Sequence, residues 1–228
     1  MMQISIMKDA SGKTYKTSLF WPQAQASYAK SVIFAAEAKI AIKAGQYIWA
    51  SISSYYSLFH LTIALMFMVP MLVEQEKLTK MITARKQGAS DPTYLIKHSE
   101  LPGFLKQCEF RGLTNLLRAQ MKKSKDVREF VNYRPRVEWQ GDKLIFRTKA
   151  YKLADVNKVV ESLETLLAET LIWASKQGDS ARLLATVSAF SIQQFLNQND
   201  LLYKEWCPHQ VLEQAEMIRQ NLPIKVRG

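Results

Sequence analysis

The side chains best suited to chemistry begin with a group of cations near residue 128. Arg128 follows Lys122, Lys123 and Lys125 within a single seven-residue stretch. A guanidinium group binds phosphate through parallel hydrogen bonds, and neighbouring lysines add attraction for a nucleic-acid backbone. The pattern has two interpretations, which are contact with RNA phosphate and a solvated face of a helix.

A histidine close to two tyrosines is the second candidate. His60 lies four residues after Tyr56 and five after Tyr55, so His60 and Tyr56 share a helical face. Imidazole suits acid–base work near neutral pH. His60 is therefore either a buried structural residue or an acid–base group that reaches Arg128. His98 lies in a polar segment and is predicted to be a surface or capping residue.

Common catalytic fingerprints are missing from the sequence. There is no glycine-rich phosphate loop, dinucleotide fingerprint, metalloprotease His-Glu-x-x-His or nucleophile elbow. The three histidines are widely spaced, so we expect no metal site and no cofactor. The two cysteines, Cys108 and Cys207, exclude a disulfide framework and are interpreted as small hydrophobic residues.

Positive charge is concentrated in one part of the chain. The 228 residues carry a net charge of +11, and residues 110–152 hold 12 basic and 4 acidic residues, a net charge of +8. A concentrated basic segment indicates an anionic partner, which we expect to be RNA. Besides the three lysines, the candidate RNA contacts in this segment are Arg134, Arg136 and Arg147.

Hydrophobic periodicity predicts a mainly α protein with short β additions. A hairpin is predicted over residues 3–20, and a second over 136–149, whose Trp139 and Phe146 either stack on bases or pack on the protein body. Helices are predicted from Pro22 to Gly45, from Ile48 to Pro70, from Leu101 to Arg118, from a Ser124 cap to before Pro135, from an Asp155 cap to Gly178, and over 181–198 and 210–221.

Residues 44–73 form an uncharged window of 30 residues, which is long enough to cross a membrane. Gln46, several serines and Pro70 interrupt its apolar character. We therefore predict a central core helix and no membrane insertion. Residues 1–13 lack the apolar stretch of a secretory signal, so a cytoplasmic location is expected.

Four blocks of sequence resemble the HEPN superfamily, especially its small prokaryotic helical-bundle members. The resemblance spans roughly residues 24–176, in the family's order. The blocks are Ala36-Glu37-Ala38-Lys39 leading to Tyr47, Tyr55-Tyr56-Ser57-Leu58-Phe59-His60, Lys97-His98-Ser99-Glu100 followed by Phe104, and Asp126-Val127-Arg128-Glu129-Phe130-Val131-Asn132-Tyr133.

The resemblance implies a helical bundle that often forms a homodimer. Many members are metal-independent endoribonucleases of toxin–antitoxin or defence systems, with an Arg followed after four to six residues by His. After Arg128 the corresponding positions hold Tyr133, Arg134 and Pro135, so the histidine is missing. The expected catalytic residues are therefore Arg128 and Tyr133, with His60 as the replacement acid–base group.

Besides a membrane-associated helix protein, which the interruptions in residues 44–73 disfavour, two functions follow from these expectations. One is RNA binding around Arg128, with weak or conditional endoribonuclease activity at most. The other is an inactive interaction module that recruits a protein partner, such as a nucleotidyltransferase-type antitoxin or a larger defence complex. The predicted organisation is an N-terminal hairpin over 1–21, a HEPN-like bundle over 22–178 and a C-terminal helical extension over 179–228.

Overall fold

A computed structural model of the chain describes residues 6–8, 12–88, 95–133, 138–140, 143–146, 149–178, 182, 185, 192 and 209–220. Most of these residues are helical, which confirms the predicted mainly α class. The helices are α1 (Trp21–Lys43), α2 (Tyr47–Met68), α3 (Gln75–Lys86), α4 (Leu101–Phe110), α5 (Leu116–Tyr133), α6 (Leu153–Ser175) and α7 (His209–Gln220). Two short 3-10 helices, Thr17–Phe20 and Pro70–Leu72, precede α1 and follow α2.

Helices α1 and α2 form an antiparallel hairpin with the most extensive contact between described helices. Gly45, at a φ of 70°, allows the chain to reverse between them. Small buried residues line the interface and let the two backbones approach closely. There the Ser31 hydroxyl donates to the Ser57 carbonyl at 2.7 Å, and the Ser57 hydroxyl donates to the Ser31 carbonyl at 2.9 Å.

The predicted position of α2 at the centre of the protein is confirmed, because α1, α4, α5 and α6 all pack against it. Helix α6 closes the bundle: the buried Tyr28 hydroxyl of α1 donates to the Leu167 carbonyl at 2.8 Å, and Lys39 pairs with Glu164 at 3.1 Å. Helix α7 packs on α6 and adds Val211 to the same core.

The central helix α2 is also the described helix that is long and apolar enough to cross a membrane. Within its most apolar 18-residue window, 78% of the residues are buried inside the protein. Such burial is typical of the core helix of a soluble protein. The absence of membrane insertion and the cytoplasmic location stay predictions.

The helices around residues 74–133 differ from the prediction. Helix α3 lies in a polar segment for which the sequence predicts no helix, and the helix predicted over 101–118 ends at Phe110. The predicted cap at Ser124 is wrong, because Ser124 lies inside α5 and is buried. Leu117, Met121 and Val127 continue one buried stripe past it at helical spacing.

The Asp155 cap is also wrong, because α6 begins two residues earlier, at Leu153. Asp155 instead lies in the first turn of α6. A carboxylate there stabilises the positive end of the helix dipole. Cys108 is buried in the core, and burial raises the pKa of its thiol to about 12.

Five short strands complete the described elements. Strands β1 (Ile6–Lys8) and β2 (Thr14–Lys16) pair antiparallel, with Ile6 opposite Lys16. Strands β3 (Glu138–Gln140), β4 (Lys143–Phe146) and β5 (Lys149–Lys152) form an antiparallel sheet in that order. Strand β5 extends beyond the predicted 136–149 hairpin and runs directly into α6.

Several sequence predictions fall outside the described residues. The helix over 181–198 is described only at Arg182, Ala185 and Ile192, which are helical. The side chains of Trp139 and Phe146 are also outside the described part. The division into three segments stays a prediction, although Val211 and Ile218 of α7 share the core with the bundle.

Candidate functional site

The candidate site lies where α2, α5 and the turn before α4 meet. Tyr55 and Tyr56 are neighbours in the middle of α2 and therefore point in directions about 100° apart. Tyr55 is fully buried, whereas Tyr56 is half-buried. Arg128 reaches them from α5, and His98 reaches them from the turn. We call these four residues the Arg128 cluster.

Arg128 is held against both tyrosines. Its Nη2 donates to the Tyr56 hydroxyl at 3.2 Å, and its guanidinium carbon lies 5.1 Å from the Tyr55 ring centroid and 5.6 Å from that of Tyr56. Both distances are within the range of cation–π attraction. Arg128 is half-buried, since it lies four residues after Ser124 and seven after Met121 on the inward side of α5. The interpretation as a solvated helix face is therefore wrong for Arg128.

His98 belongs to the same cluster, so its prediction as a surface or capping residue is wrong. Its Nδ1 forms a hydrogen bond with the Tyr55 hydroxyl, and its ring stacks on Phe59 with centroids 4.3 Å apart. Phe59 lies one helical turn after Tyr55, so the two rings form one platform on α2. The Lys97-His98-Ser99-Glu100 block was the sequence signal for this position, but it did not show where the ring points.

The cluster disfavours the charged form of His98. Burial lowers the pKa of His98 below its usual value, and the positive charges of Arg128 and Lys125 lower it further, while Glu129 opposes them. The imidazole is therefore neutral at pH 7. Because Tyr55 occupies Nδ1, Nε2 is the ring nitrogen left for a ligand.

A partly buried ion pair holds the turn that carries His98. The Lys77 ammonium binds Glu100 at 2.6 Å and donates to the Leu95 carbonyl at 2.5 Å. The Lys97 backbone N–H donates to the Glu100 carboxylate at 3.1 Å. Lys77 and Glu100 thus tie the turn to α3 and orient His98 toward α2.

His60, the histidine favoured by the sequence, lies in a neighbouring aromatic group. Its ring stacks in parallel on Phe34 at 5.6 Å and meets the edge of Phe59 at 5.3 Å. Phe34 also contacts Tyr56 at 5.4 Å, so the two groups adjoin. His60 is half-buried, and its acid–base role stays a prediction.

The three lysines before Arg128 have different environments. Lys122 is exposed, Lys123 pairs with Asp155 at 2.9 Å, and Lys125 pairs with Glu129 at 3.6 Å. Such partly exposed pairs contribute little stability and open readily for another anion. The lysines therefore surround the cluster without forming a uniform basic surface.

Other predicted site residues lie outside the described part. Arg134, Arg136 and Arg147 fall between described segments, and Tyr133 is the last residue of α5 with no described side chain. Within the described ranges, no group of three or more His, Cys, Asp or Glu side chains is arranged to hold a metal ion. The absence of a metal and of a cofactor stays a prediction.

Comparison with protein-family models, with curated proteins and with solved structures finds no match to this chain.

Proposed function

We propose that this chain is a HEPN-like, RNA-directed protein of a prokaryotic toxin–antitoxin or defence system, which binds RNA phosphate at the Arg128 cluster. The observation that carries the proposal is the grouping of the Arg128 guanidinium, the Tyr56 hydroxyl and the neutral His98 ring. Arg128 and the Tyr56 hydroxyl supply donors for phosphate oxygens, and the Tyr56 and His98 rings can stack on unpaired bases. Lys122, Lys123 and Lys125 add attraction along α5.

The same groups support at most a weak or conditional endoribonuclease. A neutral imidazole can accept a proton from a ribose hydroxyl, and Arg128 can neutralise charge that develops on the phosphate. His98 is better supported in this role than His60, because His98 and Arg128 share Tyr55. No histidine occupies the motif positions after Arg128, so the activity depends on this rearranged set.

The proposal is tested by comparing RNA binding of two variants, each of which lacks one arginine of α5. Arg128→Ala removes the cluster's cation, whereas Arg118→Ala removes an exposed cation that pairs with Glu109. We expect fluorescence anisotropy with a labelled single-stranded RNA to show at least about a tenfold loss of affinity for Arg128→Ala and less than about threefold for Arg118→Ala. The slope of the salt dependence should fall by about one for each phosphate that the variant no longer binds.

Controls separate binding from folding and from cleavage. Circular dichroism checks the fold, and Arg128→Lys keeps the charge while removing the planar fork, so it should bind with intermediate affinity. Unchanged affinity after Arg128→Ala combined with Lys122→Ala and Lys123→Ala would overturn the proposal. Cleavage in excess EDTA that is lost in His98→Ala and retained in His60→Ala supports His98 as the acid–base group, and the reverse pattern supports His60.

A second candidate function is a catalytically inactive interaction module for a protein partner or a second copy. It is favoured by the carboxylates that pair with Lys123 and Lys125, and by the large exposed side chains of Trp49 and Phe110, which are 61% and 80% exposed. Analytical ultracentrifugation distinguishes the two functions. A stable assembly that Trp49→Ser or Phe110→Ser dissociates, together with no RNA affinity, favours the module.

A further inference from the structure

A cleft lies beside the turn that carries His98, and its lining contains no residue of the Arg128 cluster. It has a volume of about 260 Å³ and is bounded by the end of α2, the Pro70–Leu72 helix, α3 and α4. Met66, Leu72 and Phe104 form its apolar wall. Ser99 and Glu100 line it from the turn, so adjacent residues face two different sites. No lining residue of the cleft belongs to the Arg128 cluster, although Lys77 and Glu100 also hold the turn that carries His98.

The hydrogen bonds of Lys77 decide which charge the cleft accepts. An ammonium group has three hydrogens, and those of Lys77 are directed to the two Glu100 oxygens, at 2.6 and 2.7 Å, and to the Leu95 carbonyl, at 2.5 Å. An anionic ligand would have to displace these partners. The Lys77 side chain is only 17% exposed, so displacement would leave a poorly hydrated charge.

Acceptor atoms, in contrast, remain available around the cleft. Glu74 lies at the exposed rim, and Glu100 Oε1, whose described donor is Lys77, has a second lone pair that can accept a hydrogen bond, whereas Oε2 already accepts from both Lys77 and Lys97. With Glu74, Glu100 and Lys77, the lining carries a net charge of −1 in a protein of net charge +11. The lining thus combines an apolar wall with carboxylate acceptors, which suits a ligand that has a cationic head and an apolar body.

We propose that this cleft binds a small organic cation, namely a primary ammonium on a short apolar group. The ammonium donates to Glu74 and Glu100 at the rim, and the apolar group packs against Met66, Leu72 and Phe104. The cleft volume of about 260 Å³ is large enough for an ammonium on a short apolar group. The ammonium proposal does not rest on the RNA proposal, because none of the ligand's contacts is a residue of the Arg128 cluster.

Three probes of similar size test the charge preference. Isothermal titration calorimetry with 2-phenylethylammonium, 2-phenylethanol and 3-phenylpropionate compares a cation, a neutral analogue and an anion on the same apolar body. We expect saturable binding of the ammonium at least tenfold tighter than that of the alcohol, and no binding of the carboxylate. Equal affinities for ammonium and alcohol, or tighter binding of the carboxylate, would overturn the proposal.

Substitutions in α4 and at the rim locate the site. A Cβ built on Gly103 meets no atom within 4 Å, so Gly103→Leu can be accommodated and fills the cleft. It should weaken ammonium binding at least tenfold, whereas Lys106→Leu, an exposed position of α4 outside the lining, should leave it unchanged. Glu74→Gln should reduce the preference for the ammonium over the alcohol at least threefold. Full binding in Gly103→Leu would contradict the site, and Arg128→Ala should bind the ammonium normally.

Discussion

At the scale of single residues, the candidate site depends on two adjacent tyrosines that make different contacts. Tyr55 is buried and contacts His98, while Tyr56 is half-buried and accepts a hydrogen bond from Arg128. Because both belong to one turn of α2, the rings keep the cation and the imidazole at a defined separation. This arrangement joins a group from α5 to a group from a loop through a single rigid helix.

The environment of His98 predicts its titration. Its folded-state pKa lies below the usual value of about 6.5, so the unfolded chain binds more protons as the pH falls. The stability that His98 contributes is therefore fully present above pH 6.5 and is lost as the pH falls through the folded-state pKa. We expect the His98 ring protons to titrate below pH 6.5 in an NMR pH series.

Neighbouring charges on α5 provide opposite controls for this titration. Lys125→Gln removes a positive charge and should raise the pKa of His98, whereas Glu129→Gln removes a negative charge and should lower it. Asp126→Asn changes an exposed charge nearby and should have the smallest effect. Shifts of the same sign in the first two variants, or titration above pH 6.5 in the wild type, would contradict the described environment.

At the scale of elements, α5 shows how a helix continues through a residue that the sequence predicts to be its start. The preference of serine for capping positions favours a helix start at Ser124, but the buried stripe of Leu117, Met121 and Val127 passes through it. Its hydroxyl is buried, and Oγ makes no hydrogen bond with any described atom. The packing of α5 on α2 therefore overrides the local preference of the residue.

Ser124→Ala should change the free energy of unfolding in opposite directions for a serine inside a helix and for a serine at a helix cap. In the interior of a helix, alanine has the higher propensity and removes a buried polar group, so the free energy of unfolding should rise by about 0.5–1 kcal/mol. A capping serine would instead lose about 1 kcal/mol on the same change. Urea denaturation of the wild type and of Ser124→Ala measures the change in the free energy of unfolding. Ser162→Ala in α6 is the comparison, because the Ser162 hydroxyl donates to the Val159 carbonyl of its own helix.

The sequence predicts long helices with broad apolar faces better than short polar ones. Helices α1, α2 and α6 have continuous periodic patterns, and their predicted positions are confirmed within a few residues. Helix α3 escapes prediction because only a few of its positions, including Leu78, Met81 and Ile82, are apolar within a polar segment. Its burial against the rest of the protein, which the local pattern does not report, stabilises it.

The candidate site was predictable only in part for a related reason. Arg128 and the paired tyrosines stand out by type and by spacing along the chain. The role of His98 depends on the turn before α4, which a long-range pair between Lys77 and Glu100 holds against α3. No periodic signal encodes a contact of this kind, so the sequence favoured His60, which shares a helix with the tyrosines.

At the scale of the whole molecule, the charge of a segment differs from the charge of a surface. Residues 110–152 carry +8 along the chain, yet Arg118 pairs with Glu109 and Lys123 pairs with Asp155, and both carboxylates lie just outside that segment. Folding thus moves acidic groups beside the basic ones. The proposed attraction for RNA is therefore expected, within the described part, near Lys122 and the Arg128 cluster.

The helical hairpin of α1 and α2 also has a consequence for the order of folding. Only Ala44, Gly45 and Gln46 connect the two helices, so closing this contact costs little chain entropy. The contact between α6 and α7 joins helices that are separated by more than 30 residues of the chain. We therefore expect the hairpin to form the folding nucleus and α7 to dock late.

Stopped-flow kinetics can test this order with one truncation in each interface. Leu58→Ala in α2 should mainly slow folding, with a φ-value above about 0.5, whereas Val211→Ala in α7 should mainly accelerate unfolding, with a φ-value below about 0.3. The opposite ranking would show that the closing helices form first. With the expected ranking, Tyr55, Tyr56 and Phe59 are aligned on α2 before α7 docks on α6.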